Sequence, residues 1–239
     1  MARDPHPFYV APDHMLPDGT LRFTEGEAHH ILRVIRLRAG DVCRVVDGNG
    51  GLYRVRLEAG ADSLTGRILE ARREPVPSRI LELGFPILRL RARTEWLLEK
   101  TVEVGAARLI PIRWERSVKE ISTALRSRWE RIIQEAMKQS ERLWLPDLAG
   151  VAEPYDPLVN TQLLLADRDG KDDLESLRGA ERVRLLVGPE GGLTADEQAR
   201  LIGAGARLWS LGPARLRAET AAVVGCHRLA GALRAAGDL

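Results

Sequence analysis

Hydrophobic and polar positions follow two rhythms along this chain of 239 residues. After a start containing prolines, residues 26–36 read as a short helix carrying His29, His30, Ile31 and Val34. Asp41-Val-Cys-Arg-Val-Val46 then alternates with period two, the mark of a half-buried strand. Asp47-Gly-Asn-Gly-Gly51 is a turn signal, and residues 52–58 and 63–71 read as two more strands. Short strands joined by glycine turns predict a small β-barrel. The pattern breaks at Arg72-Arg-Glu-Pro-Val-Pro-Ser78, a polar stretch with two prolines that suits a linker. The expected division is a first domain over 1–72, a linker over 73–78 and a second domain over 79–239.

Beyond the linker, strand-like and helix-like segments alternate. Residues 80–88 suit a strand, and 94–104 suit a helix with Leu97, Leu98, Thr101, Val102 and Val104 on its inner face and Gly105 at its C-cap. Residues 108–112 form a short strand pattern. In 123–140, Leu125, Trp129, Ile132, Ile133, Ala136 and Met137 make one apolar stripe at helical spacing. Runs 162–166 and 183–187 are almost wholly apolar, as in strands of a parallel sheet covered on both faces. Thr194-Ala-Asp-Glu197 has the form of a capping box, 206–211 reads as a strand and 219–235 as a final helix. The second part is therefore α/β.

Composition narrows the class. With 44% apolar and 29% charged residues the chain is globular, and no apolar run reaches the roughly 18 residues of a spanning helix. The first ten residues hold no apolar signal core, and two cysteines, Cys43 and Cys226, make no disulfide framework. The expectation is a cytoplasmic protein with reduced thiols and no metal. Net charge is +2, but residues 89–142 hold 13 Lys/Arg against 8 Asp/Glu, a local net of +5. Such a segment suits a polyanion such as nucleic acid, or a solvated face of salt-bridged helices.

Several common sites are absent from the sequence: a P-loop, an H-E-x-x-H helix and a G-x-S-x-G elbow. Gly203-Ala-Gly205 lacks the third glycine of a dinucleotide fingerprint and precedes a strand. Two loops remain, each following an apolar strand: Gly188-Pro-Glu-Gly-Gly192 and Leu211-Gly-Pro-Ala-Arg-Leu-Arg-Ala-Glu-Thr-Ala221. Ligands of open α/β sheets bind beyond the carboxyl ends of strands, so the two loops could wall one small-molecule pocket. Glu190 could cap the helix that follows or hold a substrate, and Arg217 with Glu219 could be a site or a local salt bridge.

Taken in order, these loops resemble the bacterial 16S ribosomal RNA (uracil-N3) methyltransferase family, RsmE, within the knotted SPOUT-type RNA methyltransferases. Three other stretches share the likeness. They are Glu99-Lys-Thr-Val-Glu-Val-Gly105 leading to Ile110-Pro111 and Glu115-Arg-Ser117; Glu135-Ala-Met-Lys-Gln-Ser-Glu-Arg142 leading to Pro146; and His30 through Arg36-Leu-Arg-Ala-Gly-Asp41 to Asp47-Gly48. Ala214-Arg215-Leu216 departs from the family's Arg-Ile-Leu, and Ala218 replaces its threonine, so no role is carried to Arg215. The resemblance implies an N-terminal PUA-like, RNA-binding β-barrel and an α/β trefoil-knot methyltransferase domain. It implies a homodimer that uses S-adenosyl-L-methionine as methyl donor and 16S rRNA of the small ribosomal subunit as substrate. On the matching positions it implies a cofactor pocket of Ala166, Gly188, Glu190, Gly191, Leu211, Gly212 and Leu216. Arg217 is then the candidate for stabilising charge on the uracil, and Glu219 for removing the N3 proton or orienting Arg217. Arg33, Arg36 and Arg38 are the candidate RNA contacts of the barrel. Three alternatives stay open: ribose 2′-O methylation on the same fold, a non-catalytic RNA-binding assembly factor, and a small-molecule α/β enzyme.

Overall fold

The computed structural model describes residues 6–60, 63–117, 121–177 and 179–235. The chain forms two compact units, Met1–Val76 with Gln134–Leu145, and Pro77–Ile133 with Pro146–Leu239.

In the first unit, β1 (Phe8–Tyr9), β2 (Thr20–Arg22), β3 (Val42–Val46), β4 (Gly51–Ala59) and β5 (Leu64–Arg73) form one sheet in the order β1-β3-β4-β5-β2. The β1–β3 pair is parallel and the other pairs antiparallel. Alternation decides the faces: Tyr53, Val55 and Leu57 of β4 point into the core while Arg54 and Arg56 face out. The core adds Phe8, Val10, Leu21, Phe23, Ile31, Cys43, Val45 and Leu64. Buried Asp47 makes the predicted turn by accepting hydrogen bonds from the N–H groups of Asn49 (2.7 Å) and Gly51 (2.8 Å) and from the Tyr53 hydroxyl (2.9 Å).

The helix expected over 26–36 divides. Helix α1 (Glu25–His29) widens into a π-helical turn, His30–Ile35, which ends at Arg36 with φ 67°. The left-handed Arg36 lets the Leu37 N–H reach the Ile31 carbonyl (3.0 Å) and brings Leu37 back onto the core beside Ile31 and Ile35. His30 packs edge-on against Phe8, 6.0 Å between ring centroids. Segment Gln134–Leu145 belongs to this unit: buried Lys138 meets Glu27 at 2.6 Å, and Arg44 holds Glu141 through two bonds of 3.1 Å.

In the second unit, β6 (Ile80–Pro86), β7 (Arg108–Ile112), β8 (Asp147–Leu148), β9 (Gln162–Lys171), β10 (Arg182–Leu186) and β11 (Arg207–Trp209) form a sheet in the order β11-β9-β10-β6-β7-β8. Every pair is parallel, as the continuous apolar runs predict. Helices α2 (Arg91–Glu103), α3 (Thr123–Gln139), α4 (Ala195–Gly203) and α5 (Ala218–Ala235) complete the chain. Helix α5 packs on α2, β6 and β10, where Gly225 abuts Leu185; Leu201 of α4 packs with Leu186 of the opposite face. The sheet is thus covered on both sides. Helix α3 runs from this unit into the Gln134–Leu145 segment of the first; Trp129 and Ile133 before that point and Ala136 and Met137 after it are buried, as their spacing requires.

At the amino end of this sheet a row of alternating charge runs across four strands in register: Arg184, Glu82, Arg108, Asp147. Glu82 is fully buried and meets Arg182 at 2.6 Å, Arg184 at 2.7 Å and Arg108 at 3.9 Å.

Candidate active site

The site lies at the other end of the sheet. A cavity of about 690 Å³ opens beyond the carboxyl ends of β10 and β11 and along the second half of β9, which lies between them. Each wall has a local cause. Strand β9 is longer than the apolar run 162–166 suggests, because its pairing with β11 jumps: Leu208 pairs with Leu165, but Trp209 pairs with Lys171. The jump skips Ala166 to Gly170, and of these Ala166 to Asp169 line the cavity. Gly170 closes the excursion where no side chain fits, since a Cβ there would lie 2.4 Å from the Trp209 nitrogen.

The second wall is the loop after β10. Val187, Gly188, Pro189, Glu190, Gly192 and Leu193 face the cavity. Helix α4 then starts in the predicted capping box: the Thr194 hydroxyl accepts from Glu197 N–H (3.2 Å) and the Glu197 carboxylate accepts from Thr194 N–H (2.8 Å). The other oxygen of buried Glu197 accepts from Glu115 N–H (2.9 Å), and Arg116 donates to the Gly191 carbonyl (3.0 Å). The 115–117 segment thereby braces the glycine loop.

The third wall is Arg215, Leu216, Arg217 and Ala218, leading into α5. Of the residues singled out in the sequence, Ala166, Gly188, Glu190, Leu216 and Arg217 line the cavity. Gly191 lies in the loop held by Arg116, and Leu211 and Gly212 precede the third wall, with Gly212 N–H donating to the Ser210 hydroxyl (3.3 Å). Arg215 lines the cavity in spite of its shifted position. Arg217 is exposed, and among the described residues its guanidinium has no hydrogen bond or ion pair.

Glu219 is buried at the start of α5, and its partner is Arg93 of α2. Arg93 donates Nε to Oε1 (2.8 Å) and Nη2 to Oε2 (2.5 Å), and gives Nη1 to Glu190. The other Glu190 oxygen accepts from Arg89 N–H (3.3 Å). The Arg93 hydrogen bonds hold the Glu219 carboxyl below the usual range, and the same bonds raise the Arg93 guanidinium. Sequence reading missed Arg93. The available signal was Arg91 and Arg93 in a first helical turn that holds no acidic residue, against the macrodipole preference. Asp167, Arg168, Asp169 and Gln198 were also missed, because only the β9 excursion and the α4 packing place them on the cavity rim.

Arg33, Arg36 and Arg38 are in the first unit, all exposed, on the π-helical turn and the loop after it. Among the described residues none of their guanidiniums is in an ion pair.

Two family models match this arrangement: an RNA methyltransferase PUA domain over residues 23–69 and an RNA methyltransferase domain over 77–230. The fold is thus that of a PUA-like domain joined to an α/β methyltransferase domain. Among similar proteins, the ribosomal RNA small subunit methyltransferase E of Synechocystis sp. is 33% identical over 90% of this chain and 74% of its own length. That of Mycobacterium bovis is 31% identical over 91% and 88%. A crystal structure of a ribosomal RNA small subunit methyltransferase E from Neisseria gonorrhoeae, bound to S-adenosyl methionine, superposes with a TM-score of 0.82 at 25% identity, covering 94% of this chain and 96% of that one. The chain belongs to the ribosomal RNA small subunit methyltransferase E family.

Proposed function

We propose that this protein methylates N3 of one uridine in 16S rRNA of the small ribosomal subunit, with S-adenosyl-L-methionine as donor. The observation that carries the reading is one cavity whose walls include residues of both motif loops and the Ala166–Asp169 stretch of β9. Its residues fit the donor. The volume of about 690 Å³ is that of a small-molecule site. Val187, Leu193 and Leu216 offer apolar surface for a purine, and Asp167 and Asp169 offer carboxylates near a cationic ligand. Backbone groups of Gly188, Glu190, Gly191, Leu211, Gly212 and Leu216, with Ala166, would hold the adenosyl part. The donor supplies a methyl group on a positively charged sulfur.

The protein's own part is positioning and electrostatics. Uracil N3 carries a proton at neutral pH; solvent water takes it, which leaves negative charge on the ring and its carbonyl oxygens. Arg217, exposed on the cavity wall and unpaired among the described residues, is suited to stabilise that charge. Glu219 is ionised and held by Arg93 through both oxygens, which suits an anchor better than a proton acceptor. Arg33, Arg36 and Arg38 place the RNA, and the target base must leave its stack to meet the donor. An RNA-placing domain over 1–72, a linker over 73–78, a knotted methyl-transfer domain over 79–239, a homodimer and a cytoplasmic location belong to the same reading. It is consistent with the absence, among the described residues, of any helix long and apolar enough to cross a membrane.

The test incubates the protein and methyl-labelled S-adenosylmethionine with undermethylated small subunits, free small-subunit RNA or transfer RNA, and identifies labelled nucleosides by mass spectrometry. The expected product is 3-methyluridine in small-subunit RNA. A 2′-O-methylated product would replace the base with the ribose as target. Cofactor binding without label in any RNA would remove the substrate assignment, and no cofactor binding would leave a non-catalytic RNA-binding role.

A further inference from the structure

We infer that Arg93 is a positioning residue for methyl transfer, a clamp that joins the two motif loops and keeps Glu219 from capturing Arg217. This rests on the reading of the cavity as the methyl-transfer site.

The geometry is specific. One guanidinium spends three nitrogens on two carboxylates, Glu219 in the first turn of α5 and Glu190 from the loop after β10. These partners lie 126 and 97 residues away in the chain. Neighbouring Arg91 instead pairs within its own helix with Glu95 (3.0 Å). The clamp is also more sheltered than an ordinary surface pair: the Arg93 side chain is 23% exposed and that of Glu219 is 9%. A planar fork meeting a carboxylate through two bonds fixes direction as well as distance.

Its location runs against local preference. A cation in the first turn of α2 faces the positive end of the helix, and that turn carries no acid to offset it. Departures of this kind are expected where a site requires them. Here Glu190 and Glu219 bring the compensating charge from elsewhere in the fold.

The consequence concerns Arg217. Arg217 lies two residues before Glu219 in the chain and lines the cavity, which Glu219 itself does not, and its positive charge adds to that of Arg93 in holding the Glu219 carboxyl down. With Arg93 in place, both Glu219 oxygens are engaged and Arg217 remains available to the cavity. Without Arg93, a buried carboxylate is left with Arg217 as its replacement partner, and the pairing would draw that charge away from the uracil. Arg93 therefore acts through Glu219 and Arg217.

The experiment compares wild type, Arg93→Ala, Arg93→Lys and Arg93→Ala/Glu219→Gln. Two quantities are read: the S-adenosylmethionine dissociation constant by calorimetry, and the single-turnover rate on undermethylated small subunits with both reactants saturating. Arg93→Ala should weaken cofactor binding about tenfold, because the Glu190 loop is released, and slow transfer about 100-fold. Arg93→Lys should fall between. Adding Glu219→Gln removes the competing charge and should recover at least about tenfold in rate, a rescue that a purely structural clamp would not show. If Arg93→Ala does not fold, Arg93→Gln, which keeps a polar stem without the charge, takes its place with the same expected losses. Transfer by Arg93→Ala within twofold of wild type, or a double variant slower than the single, overturns the inference. Wild type that binds no cofactor overturns the reading of the cavity, and the inference with it. Wild type that binds cofactor but methylates none of the subunits overturns the substrate assignment and, with it, the role in transfer; an unchanged dissociation constant in Arg93→Ala would then overturn the clamp as well.

Discussion

Replacing Glu82 with alanine tests what holds the methyltransferase sheet in register. The carboxylate is fully buried and bonded to Arg182 and Arg184, with Arg108 at 3.9 Å. Its three partners differ in how well water can replace it. Arg184 has a side chain only 14% exposed, whereas Arg182 and Arg108 are 36% and 40% exposed. Stranding Arg184 should cost about 3–5 kcal/mol, the penalty for removing one partner of a buried pair. The two exposed arginines add at most about 1 kcal/mol each. A net loss of about 4 kcal/mol in a domain of this size lowers Tm by roughly 8–16 °C. Tryptophan fluorescence is the assay, since Trp96, Trp114, Trp129 and Trp209 lie in the second unit and Trp144 in the first. Glu82→Leu/Arg184→Leu should recover most of the loss, because it removes both buried charges. A Tm drop below about 3 °C for Glu82→Ala, or a double variant no better than the single, would refute the argument.

Other perturbations address the site. Arg217→Ala should bind S-adenosylmethionine within about threefold of wild type yet transfer methyl at least about 100-fold more slowly, the scale for losing one charge-stabilising donor; rapid-quench kinetics at saturating cofactor decide it, and a normal rate removes Arg217 from the mechanism. Gly170→Ala puts a Cβ 2.4 Å from the Trp209 nitrogen and 2.5 Å from the Leu208 carbonyl carbon, so it should cost about 1–3 kcal/mol and weaken cofactor binding by displacing the Ala166–Asp169 wall. For Glu219 the folded carboxyl is depressed below its ordinary 4.5, so its stabilisation is present above that value and lost as pH falls through the depressed one. The stability gap between wild type and Glu219→Gln should hold steady from pH 8 to about 5 and shrink on further acidification; a gap that widens in acid contradicts the sign. Changing Arg33, Arg36 and Arg38 together to alanine should lower RNA affinity and reduce the slope of log affinity against log salt by about 2–3, whereas an unchanged slope at matched salts rules out phosphate contacts there.

Much of the fold is legible in the sequence. The stripe from Leu125 to Met137, the Thr194–Glu197 capping box and the apolar runs of β9 and β10 are local statements, so periodicity and cap chemistry suffice to read them. The same holds for both motif loops, which lie between a strand and a helix as their glycines and flanking apolar runs require. Strands β1, β2 and β8 escaped notice because two or three residues carry no period. The π-helical turn escaped because its cause is tertiary: Ile31, Ile35 and Leu37 must all reach one core.

At the site, the chain order determined which residue types were available, and tertiary packing decided which of them meet. Ala166, Gly188, Glu190, Leu216 and Arg217 could be read from the two loops and a strand end, since glycines and a strand's last apolar residue mark where a parallel sheet opens. That Asp167 and Asp169 line the cavity depends on a pairing jump between β9 and β11. That Glu219 answers to Arg93 and not to its neighbour Arg217 depends on α2 and α5 packing side by side. No periodicity encodes a contact across 126 residues, because its energy comes from two surfaces that exist only once the sheet between them has formed.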